Sequence, residues 1–586
     1  MDIYGFYNGT VFDAYEWLGA HVTPTNVIFR TFAPNAEGVC VRIDENEYPM
    51  YRVENGQFYE YIHDLSAVGK HYEYRIYHHG TYTDHCDPYG FSMELRPDHK
   101  SIVCDINKYS FQDNYWMRHR NDCKNQPLNI YELHLGSWKK NDWQWYNYDE
   151  LADLLIPYLK EYNYTHIEIL PISEHPCDES WGYQNTGFFA PTSRYGTPLQ
   201  LKSFIDKLHQ NNIGILLDFV PAHFALDSYA LASYDGSILY EYPHQDVGVS
   251  EWGSCNFMHS RGEVRSFLQS CANYWLKEFH FDGLRMDAIR NLIYWQGDER
   301  RGVNNNGVSF LRYMNQQLKK LHPGCILSAE DSSSFANVTA SADNNGLGFD
   351  YKWDMGWMHD TLDFFKKTPA ERYDNYHKLT FSMMYYYNEH FILPFSHDEV
   401  VHGKATIIGK IYGEYEEKFA QLRSLYMYMY VHPGKKLNFM GNEIAHFREW
   451  DEKRQQDWDL LSYPQHKAFS DYMKALNSIY KNNSAFYSKD FDNEGFSWLD
   501  CNRESECIYA ICRNGNSNRI LAIFNFSDQH RHYETRLSDV DNLNLLLSTD
   551  WRAFGGNTEN NSDIYSFNNN IFSCDLAPYS SLLFAI

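Results

Sequence analysis

The sequence predicts an α/β protein in which a central (β/α)8 TIM barrel is flanked by an N-terminal β-sandwich and a C-terminal all-β domain. Strand-like runs alternate with helix-like runs in the middle of the chain, whereas both ends contain only short strand-like runs. The chain has 586 residues, which is more than one hydrophobic core usually holds. We therefore predict three domains, at residues 1–108, 109–480 and 481–586.

The central segment contains eight strand candidates. In order they are "NIYELHL", "THIEILPI", "IGILLDFV", "FDGLRMDA", "CILSAED", "FDYKWDM", "FILPFSH" and "KKLNFMGN". Amphipathic segments such as "YDELADLLIPYLKEY" and "LQLKSFIDKLHQN" lie between several of them. This alternation predicts a barrel with insertions. A doubly wound sheet would also alternate, but neither G-x-G-x-x-G nor G-x-x-x-x-G-K-[ST] follows a strand candidate.

The two ends of the chain have the pattern of antiparallel strands. Near the N-terminus, "NVIFRTFAPNAEGVCVRI" and "HYEYRIYHHGTYTDHCDPYG" alternate apolar and polar residues and are bounded by Gly, Pro and Asn. The segments "ECIYAICRN", "RILAIFNFS", "LNLLLSTD" and "IFSCDLAPYSSLLFAI" repeat this pattern near the C-terminus. Short alternating runs between turn residues predict a β-sandwich at each end.

Charge and cysteine usage restrict the possible partners and compartment. The formal net charge of −26 argues against nucleic acid and anionic membranes as partners, since both require basic surfaces. The 12 Cys are scattered, which favours reduced thiols in a cytoplasm. The N-terminus lacks a signal-peptide pattern, and no apolar run approaches the roughly 20 residues of a membrane span. We predict a cytoplasmic protein.

Aromatic residues are abundant, at 17% of the chain, with 48 Tyr and 15 Trp. Large apolar cores would explain them. Sugar binding is the sharper hypothesis, because flat rings stack on the apolar faces of pyranoses. Composition leaves both interpretations open.

The fourth strand candidate, in "FHFDGLRMDAIRN", carries charges on one face. Strand side chains alternate in direction, so Gly283, Arg285 and Asp287 share a face. Barrel strands are covered on both sides, and active sites of such barrels lie at the C-terminal strand ends. We therefore predict that Arg285 and Asp287 point into the mouth of the barrel.

Three further strand candidates also end in acids and histidines. These are Asp218 and His223 after the third, Glu330 and Asp331 after the fifth, and His397, Asp398 and Glu399 after the seventh. Each alone could be a helix cap, a loop acid or a salt-bridge partner. Four such strand ends on one face predict an active site.

Glycosidic bond cleavage is the chemistry that uses such a cluster. Its transition state resembles an oxocarbenium ion, which a carboxylate stabilises, and the leaving oxygen needs a protonated acid. An arginine beside the nucleophile keeps that carboxylate ionised. A metal site is the competing use of clustered acids and histidines, but the chain has neither H-E-x-x-H nor another compact ligand motif. We predict no metal and no cofactor.

Four of these segments, "DFVPAH", "DGLRMDAI", "LSAED" and "PFSHDE", resemble the signature regions of the α-amylase family of glycoside hydrolases and transferases. The resemblance implies that Asp287 is the nucleophile, Glu330 the general acid/base and Asp398 the third carboxylate. It also implies a set of residues around the reacting glucose, namely Tyr183, Asp218, His223, Arg285 and His397. Where many members have a calcium-binding Asn, this chain has Ala222, so no calcium is expected there.

Longer motifs are similar to those of the branching enzymes within this family. They include "YELHLGSW", "WGYQNTGFFAPTSRYGTP", "DYKWDMGWMHDTLDFF", "SHDEVVHGK" and "MGNEIAHFREW". Tyr183, in "WGYQ", would correspond to the tyrosine that packs against the reacting glucose, with its hydroxyl near the Asp287 carboxylate. The head of the chain, with "FRTFAPNAEGVCV", resembles the immunoglobulin-like carbohydrate-binding module that such enzymes carry. The usual second Glu of the acid/base region is Asp331 here.

The resemblance implies a transferase that acts on an α-glucan polymer such as amylose, amylopectin or glycogen. It would cleave an α-1,4 bond, hold the chain on Asp287 and pass it to a glucose 6-hydroxyl, which forms an α-1,6 branch. We expect a monomer. A hydrolase of the same family, either trehalose-releasing or α-1,6-debranching, is the alternative, because hydrolases share the four regions. A catalytically silent glucan-binding protein is a third hypothesis.

Overall fold

The computed structural model describes residues 1–538, 540, 543–559 and 565–586. The N-terminal strands are β1 (Gly19–Val22), β2 (Asn26–Phe32), β3 (Gly38–Ile43), β4 (Asn46–Pro49), β5 (Tyr51–Val53), β6 (Phe58–Asp64), β7 (His71–His78), β8 (Thr81–His85) and β9 (Ser101–Ile102). They form two antiparallel sheets, β1-β2-β6-β5 and β4-β3-β7-β8, with β9 paired to β7. The predicted β-rich N-terminal architecture is confirmed.

The middle of the chain forms a closed parallel barrel. Its strands and those of its loops are β10 (Asn129–Leu133), β11 (Lys140–Asn141), β12 (Gln144–Trp145), β13 (His166–Ile169), β14 (Ser173–Glu174), β15 (Gly187–Pro191), β16 (Gly214–Phe219), β17 (His223–Phe224), β18 (Cys255–Asn256), β19 (Gly283–Met286), β20 (Ile326–Ala329), β21 (Tyr351–Trp353), β22 (Phe391–Phe395) and β23 (Lys435–Phe439). The barrel order is β10-β13-β16-β19-β20-β21-β22-β23. Each of these eight strands lies within one predicted candidate, so the barrel is confirmed and the doubly wound sheet is excluded.

Helices surround the barrel. They are α1 (Ile3–Asn8), α2 (Asn114–His119), α3 (Leu135–Trp138), α4 (Tyr148–Glu161), α5 (Pro198–Gln210), α6 (Gln245–Gly248), α7 (Gly262–Glu278), α8 (Ile289–Ile293), α9 (Asn305–Leu321), α10 (Met355–Lys366), α11 (Lys378–Phe381), α12 (Ile407–Lys410), α13 (Tyr415–Val431) and α14 (Pro464–Asn482). Reciprocal side-chain caps begin α4, where Asn147 pairs with Glu150, and α5, where Thr197 pairs with Gln200. Such capping boxes satisfy the first amide groups of a helix and fix where it starts.

The strand register places the predicted charged residues side by side. In the parallel pairing of β16 with β19, Asp218 lies opposite Arg285, and Arg285 lies opposite Ser328 of β20. Gly283 permits the close approach of β19 to β20, since a Cβ atom there would lie 2.1 Å from the carbonyl oxygen of Ile326. The third, fourth and fifth strands of the barrel, which are β16, β19 and β20, therefore end at the same height in the barrel.

The C-terminal strands are β24 (Phe496–Arg503), β25 (Ile508–Asn514), β26 (Arg519–Asn525), β27 (Arg531–Arg536), β28 (Asn544–Ser548), β29 (Tyr565–Asn568), β30 (Ile571–Leu576) and β31 (Ser581–Ala585). They form one sheet in the order β24-β25-β26-β31-β28 and another in the order β27-β30-β29. This confirms the all-β C-terminal architecture. Among the described residues, no helix has the length and apolar character needed to cross a membrane.

Candidate active site

A cleft of about 430 Å³ opens at the C-terminal ends of the barrel strands. Six of the predicted site residues line it, namely Tyr183, His223, Asp287, Glu330, His397 and Asp398. The remaining two, Asp218 and Arg285, lie beneath them and are bonded to them. The structure thus brings together all eight residues to which the resemblance gives a role, whereas the strand-end acids Asp331 and Glu399 do not line this cleft.

Arg285 joins two carboxylates at the base of the cleft. Its Nη1 atom donates to both oxygens of Asp218 at 2.8 Å and to Oδ1 of Asp287 at 2.7 Å. The guanidinium is buried and lies over the ring of Trp353, 4.4 Å from its centroid. A buried charge is strongly unfavourable without a partner. These contacts pair the charge and fix the carboxylate of Asp287.

The main chain after β19 positions Glu330 beside Asp287. Ala288 adopts a left-handed conformation with φ 51°, and its amide donates to Oε2 of Glu330 at 2.9 Å. The amide of Glu330 in turn donates to the Met286 carbonyl at 3.0 Å. A non-glycine residue in this conformation is uncommon and marks a constrained site. These bonds join the ends of β19 and β20.

Glu330 is suited to donate a proton. Burial raises the pKa of Glu330 to about 7, against the opposing effect of Arg285, and the neighbouring Asp287 and Asp398 raise it further. A carboxylic acid whose pKa lies near neutrality can both give and accept a proton in catalysis.

Asp398 lies at the rim of the cleft, with 42% of its side chain exposed. Partial burial would raise the pKa of Asp398, but His397 and Arg285 outweigh it and lower the pKa below its usual value. Oδ1 of Asp398 lies 3.5 Å from Nε2 of His397. Asp398 is therefore ionised at a pH at which Glu330 still carries its proton.

Tyr183 lies in the long loop between β14 and β15 and lines the cleft. Its hydroxyl donates to Oδ2 of Asp218 at 2.6 Å and lies 3.2 Å from Nε2 of His397. Its ring stacks on that of His397, with centroids 5.8 Å apart and an interplanar angle of 21°. The sequence suggested a hydroxyl near Asp287, whereas its hydrogen bonds among the described residues go to Asp218 and His397.

His223, in β17, also lines the cleft. Its Nδ1 is hydrogen-bonded to Oγ of Ser254 at 2.8 Å, and its ring centroid lies 5.2 Å from that of Trp252. Burial lowers the pKa of His223 to about 4, against the effect of Asp287. The imidazole is therefore neutral, and its Nε2 can exchange a hydrogen bond with a sugar hydroxyl.

Sequence reasoning missed several residues of this site. Trp181, Trp252 and His402 line the cleft, and Glu132 contacts His397 from β10. Trp181 stands in the "WGYQ" motif, and Glu132 is an ionisable residue inside a barrel strand, which is itself a signal. Trp252 and His402 lie in loops whose paths the sequence pattern does not determine.

A closed (β/α)8 barrel with this acid cluster at its mouth defines an enzyme of the α-amylase class. The family model described as "Alpha amylase, catalytic domain" matches residues 151–246, and "Alpha amylase, C-terminal all-beta domain" matches residues 498–586. The pullulanase of Bacillus acidopullulyticus shares the fold with a TM-score of 0.75 at 16% identity, over 97% of this chain and 75% of that one. Pullulanase type I of Bacillus subtilis gives a TM-score of 0.75 at 18% identity, over 97% and 85%.

More similar relatives identify the family. "Alpha-1,4-glucan branching enzyme GlgB, N-terminal domain" matches residues 1–89. The 1,4-alpha-glucan branching enzyme GlgB of Fusobacterium nucleatum is 44% identical over 95% of this chain and 92% of that protein. The enzymes of the same name from Oceanobacillus iheyensis and Bacillus subtilis are 42% and 40% identical, and each covers more than nine-tenths of both chains. The chain belongs to the 1,4-α-glucan branching enzyme family, whose members are glycosyltransferases.

Proposed function

We propose that this chain cuts an α-1,4 bond of an α-glucan with retention and transfers the released segment to a glucose 6-hydroxyl. The product is an α-1,6 branch in glycogen or a starch-like glucan. One observation supports this proposal above all others. Two carboxyl groups end neighbouring barrel strands in one cleft, and Arg285 pairs with Asp287 while burial raises the pKa of Glu330 to about 7.

In the first step Asp287 is the nucleophile and Glu330 the general acid. An oxygen of Asp287 forms a bond to the anomeric carbon as the bond from that carbon to the leaving O4 breaks. Glu330 gives its proton to O4, so the shortened glucan leaves with a free 4-hydroxyl. The transferred segment remains as an ester on Asp287, and Glu330 is left ionised.

In the second step Glu330 acts as the base. The 6-hydroxyl of an acceptor glucan attacks the anomeric carbon, its proton passes to Glu330, and the ester bond to Asp287 breaks. Two inversions at the same carbon restore the α configuration. Both catalytic groups return to their starting protonation states.

The other predicted residues hold the reacting glucose between these groups. Asp398, ionised at the rim, is placed to bind sugar hydroxyls and to stabilise the positive charge of the transition state. The ring of Tyr183 offers an apolar surface for the glucose, Nε2 of His223 offers a hydrogen bond, and the ring of His397 also lines the cleft. Asp218 and Arg285 act from beneath, through the bonds that orient Tyr183 and Asp287.

The similarity of this chain to branching enzymes favours transfer over hydrolysis. The relatives with about 40% identity over nearly the whole chain carry the name of branching enzyme, whereas the pullulanases are similar only in fold.

We further propose that the protein is a cytoplasmic monomer with three domains, at residues 1–108, 109–480 and 481–586. All 12 Cys are free thiols, which supports a reducing compartment.

A trapped intermediate tests the assignment of the nucleophile. A glycosyl fluoride bearing a second, ring fluorine forms the ester readily but releases it slowly, because the ring fluorine destabilises the oxocarbenium-like transition state. Peptide mass spectrometry should then find the sugar on Asp287. A label on Asp398 or Glu330 would contradict the proposal.

Tyr183 should contribute through both its ring and its hydroxyl. Tyr183→Phe keeps the ring and removes the bond to Asp218, which is worth roughly 1.5–3 kcal/mol beside a charge, or about 10- to 100-fold in rate. Tyr183→Ala also removes the apolar surface and should branch amylose more slowly still. Circular dichroism should show an intact fold in both. If Tyr183→Ala branches at the wild-type rate, this residue does not contact the reacting glucose.

The pH dependence should follow Glu330. The pKa of Glu330 is raised to about 7, and the first step needs its protonated form. Activity should therefore be full below this pKa and lost as the pH rises through it, with kcat/KM for amylose falling about tenfold per pH unit above roughly pH 8. A glycosyl fluoride needs no proton from Glu330, so its rate of ester formation should lack this fall. An amylose profile that stays flat to pH 9 would contradict the assignment.

A further inference from the structure

Glu132 forms two hydrogen bonds with His397, one of the residues that line the cleft. This glutamate belongs to β10 and is fully buried. Its Oε2 accepts from the main-chain amide of His397 at 2.9 Å, and its Oε1 lies 2.5 Å from the Nδ1 atom of the same residue. A carboxylate can only accept, so Nδ1 carries a hydrogen. One side chain thus fixes both the backbone and the ring of His397.

The second ring nitrogen of His397, Nε2, also carries a hydrogen. Nε2 of His397 lies 3.2 Å from the hydroxyl oxygen of Tyr183. That hydroxyl donates its own hydrogen to Asp218. The Tyr183 oxygen can therefore only accept from His397, which requires a hydrogen on Nε2 as well. With hydrogens on both nitrogens, the ring is an imidazolium.

The surroundings of His397 agree with a charged ring. Burial lowers the pKa of His397, but Asp398 and Glu132 outweigh it and raise the pKa to about 9, while Arg285 opposes them. The groups that face the ring are Glu132 on β10, Tyr183 from its loop, Asp398 beside it, and Glu168 and Arg285 deeper in the barrel.

The hydrogen bonds form one continuous chain, in which His397 donates to both of its neighbours and Asp218 accepts from both of its neighbours. It runs from Glu132 to His397, to Tyr183, to Asp218, to Arg285 and to Asp287. We propose that Glu132 is a positioning residue of the transfer reaction, which acts by holding His397 and through it ordering Tyr183 and Asp218 behind the nucleophile. This inference rests on the proposed place of His397 at the reacting glucose.

Glu168 provides a matched control within the same barrel. It lies directly opposite Glu132 in the pairing of β10 with β13, and it is equally buried. Neither of its carboxyl oxygens has a hydrogen-bond partner among the described residues. Burial, together with Glu132, raises the pKa of Glu168 well above its usual value, so this side chain is a neutral acid. Glu168→Gln replaces one neutral group with another of the same size.

Kinetics of four variants test the proposal. Glu132→Gln removes a charge and should lower kcat for branching about 10- to 100-fold with a smaller change in KM, because misplacement of binding groups acts mainly on the transition state. Glu168→Gln should stay within about threefold of wild type. His397→Gln should lose activity, and the double variant Glu132→Gln/His397→Gln should be no slower than His397→Gln alone. Wild-type activity in Glu132→Gln, multiplicative losses in the double variant, or equal losses in Glu168→Gln would overturn the proposal.

A titration of His397 supplies a readout that a purely structural role would not change. With histidine labelled at Cε1, the signal that His397→Gln removes identifies this ring by NMR. Its pKa should fall in Glu132→Gln and keep its wild-type value in Glu168→Gln; an unchanged pKa in Glu132→Gln would overturn the proposal. Should Glu132→Gln fail to fold, Glu132→Asp keeps the charge but shortens the reach, and it should also slow branching.

The same set separates two kinds of failure. If His397→Gln branches at the wild-type rate, the proposed place of His397 at the reacting glucose is wrong, and the role of Glu132 fails with it. If His397→Gln is inactive while Glu132→Gln is fully active, only the role of Glu132 is wrong.

Discussion

Asp287→Asn should abolish branching while leaving the protein folded. Asparagine is nearly the same size but does not attack the anomeric carbon, and loss of a nucleophile typically lowers kcat by at least about a thousandfold. Arg285 would keep both bonds to Asp218, so no buried charge is left alone and the melting temperature should change little. Initial rates of branch formation on amylose, with a thermal melt of the same preparation, measure both effects. A residual rate above about a tenth of wild type would contradict the assignment of the nucleophile.

Asp331→Asn is a matched control for this experiment. Asp331 is also a buried acid at a strand end, but it pairs with Nζ of Lys352 at 2.9 Å and does not line the catalytic cleft. Loss of one partner of a buried pair costs stability, because it leaves the other charge uncompensated. We expect a lower melting temperature with branching activity retained, the reverse of the effect at Asp287.

Glu330→Gln should lose most activity on glucan yet still react with an activated glycosyl fluoride. Glutamine has no proton to give to the leaving O4, whereas fluoride leaves without one. The loss on amylose should be about 100- to 10,000-fold, the usual contribution of a general acid. Release of fluoride ion measures the first step separately from branching.

The comparison with Asp287→Asn makes this test decisive. The fluoride substrate should rescue ester formation in Glu330→Gln and should not rescue it in Asp287→Asn, since only the latter lacks the attacking oxygen. Rescue of Asp287→Asn alone would mean that the two roles are reversed.

The barrel and its acid cluster could be predicted from the sequence because both depend on local patterns. Parallel barrel strands end on one face, so an acid at a strand end is assigned to the cleft as soon as the strand is recognised. This rule assigns Asp218 and Glu330 to the cleft. The register of β16, β19 and β20 confirms that these three strands end at the same height in the barrel.

Contacts that depend on tertiary placement could not be predicted in this way. The hydroxyl of Tyr183 bonds Asp218 rather than Asp287 because the path of a long loop, not a periodicity, sets its position. Glu132 and Glu168 have the same strand pattern, "YEL" and "IEI", and are cross-strand neighbours. Only the positions of their neighbours in space show that Glu132 holds His397, whereas Glu168 has no hydrogen-bond partner in the part of the chain that the structure describes.

Incubation with amylose, followed by proton NMR of the anomeric signals, tests directly whether this chain transfers glucan segments to a glucose 6-hydroxyl. A branching transferase converts α-1,4 linkages to α-1,6 linkages one for one, so the α-1,6 signal should rise while the number of reducing ends stays constant. The Asp287→Asn protein should leave the spectrum unchanged. A rise in reducing ends without α-1,6 linkages would show that water, and not a glucose 6-hydroxyl, takes the segment from Asp287.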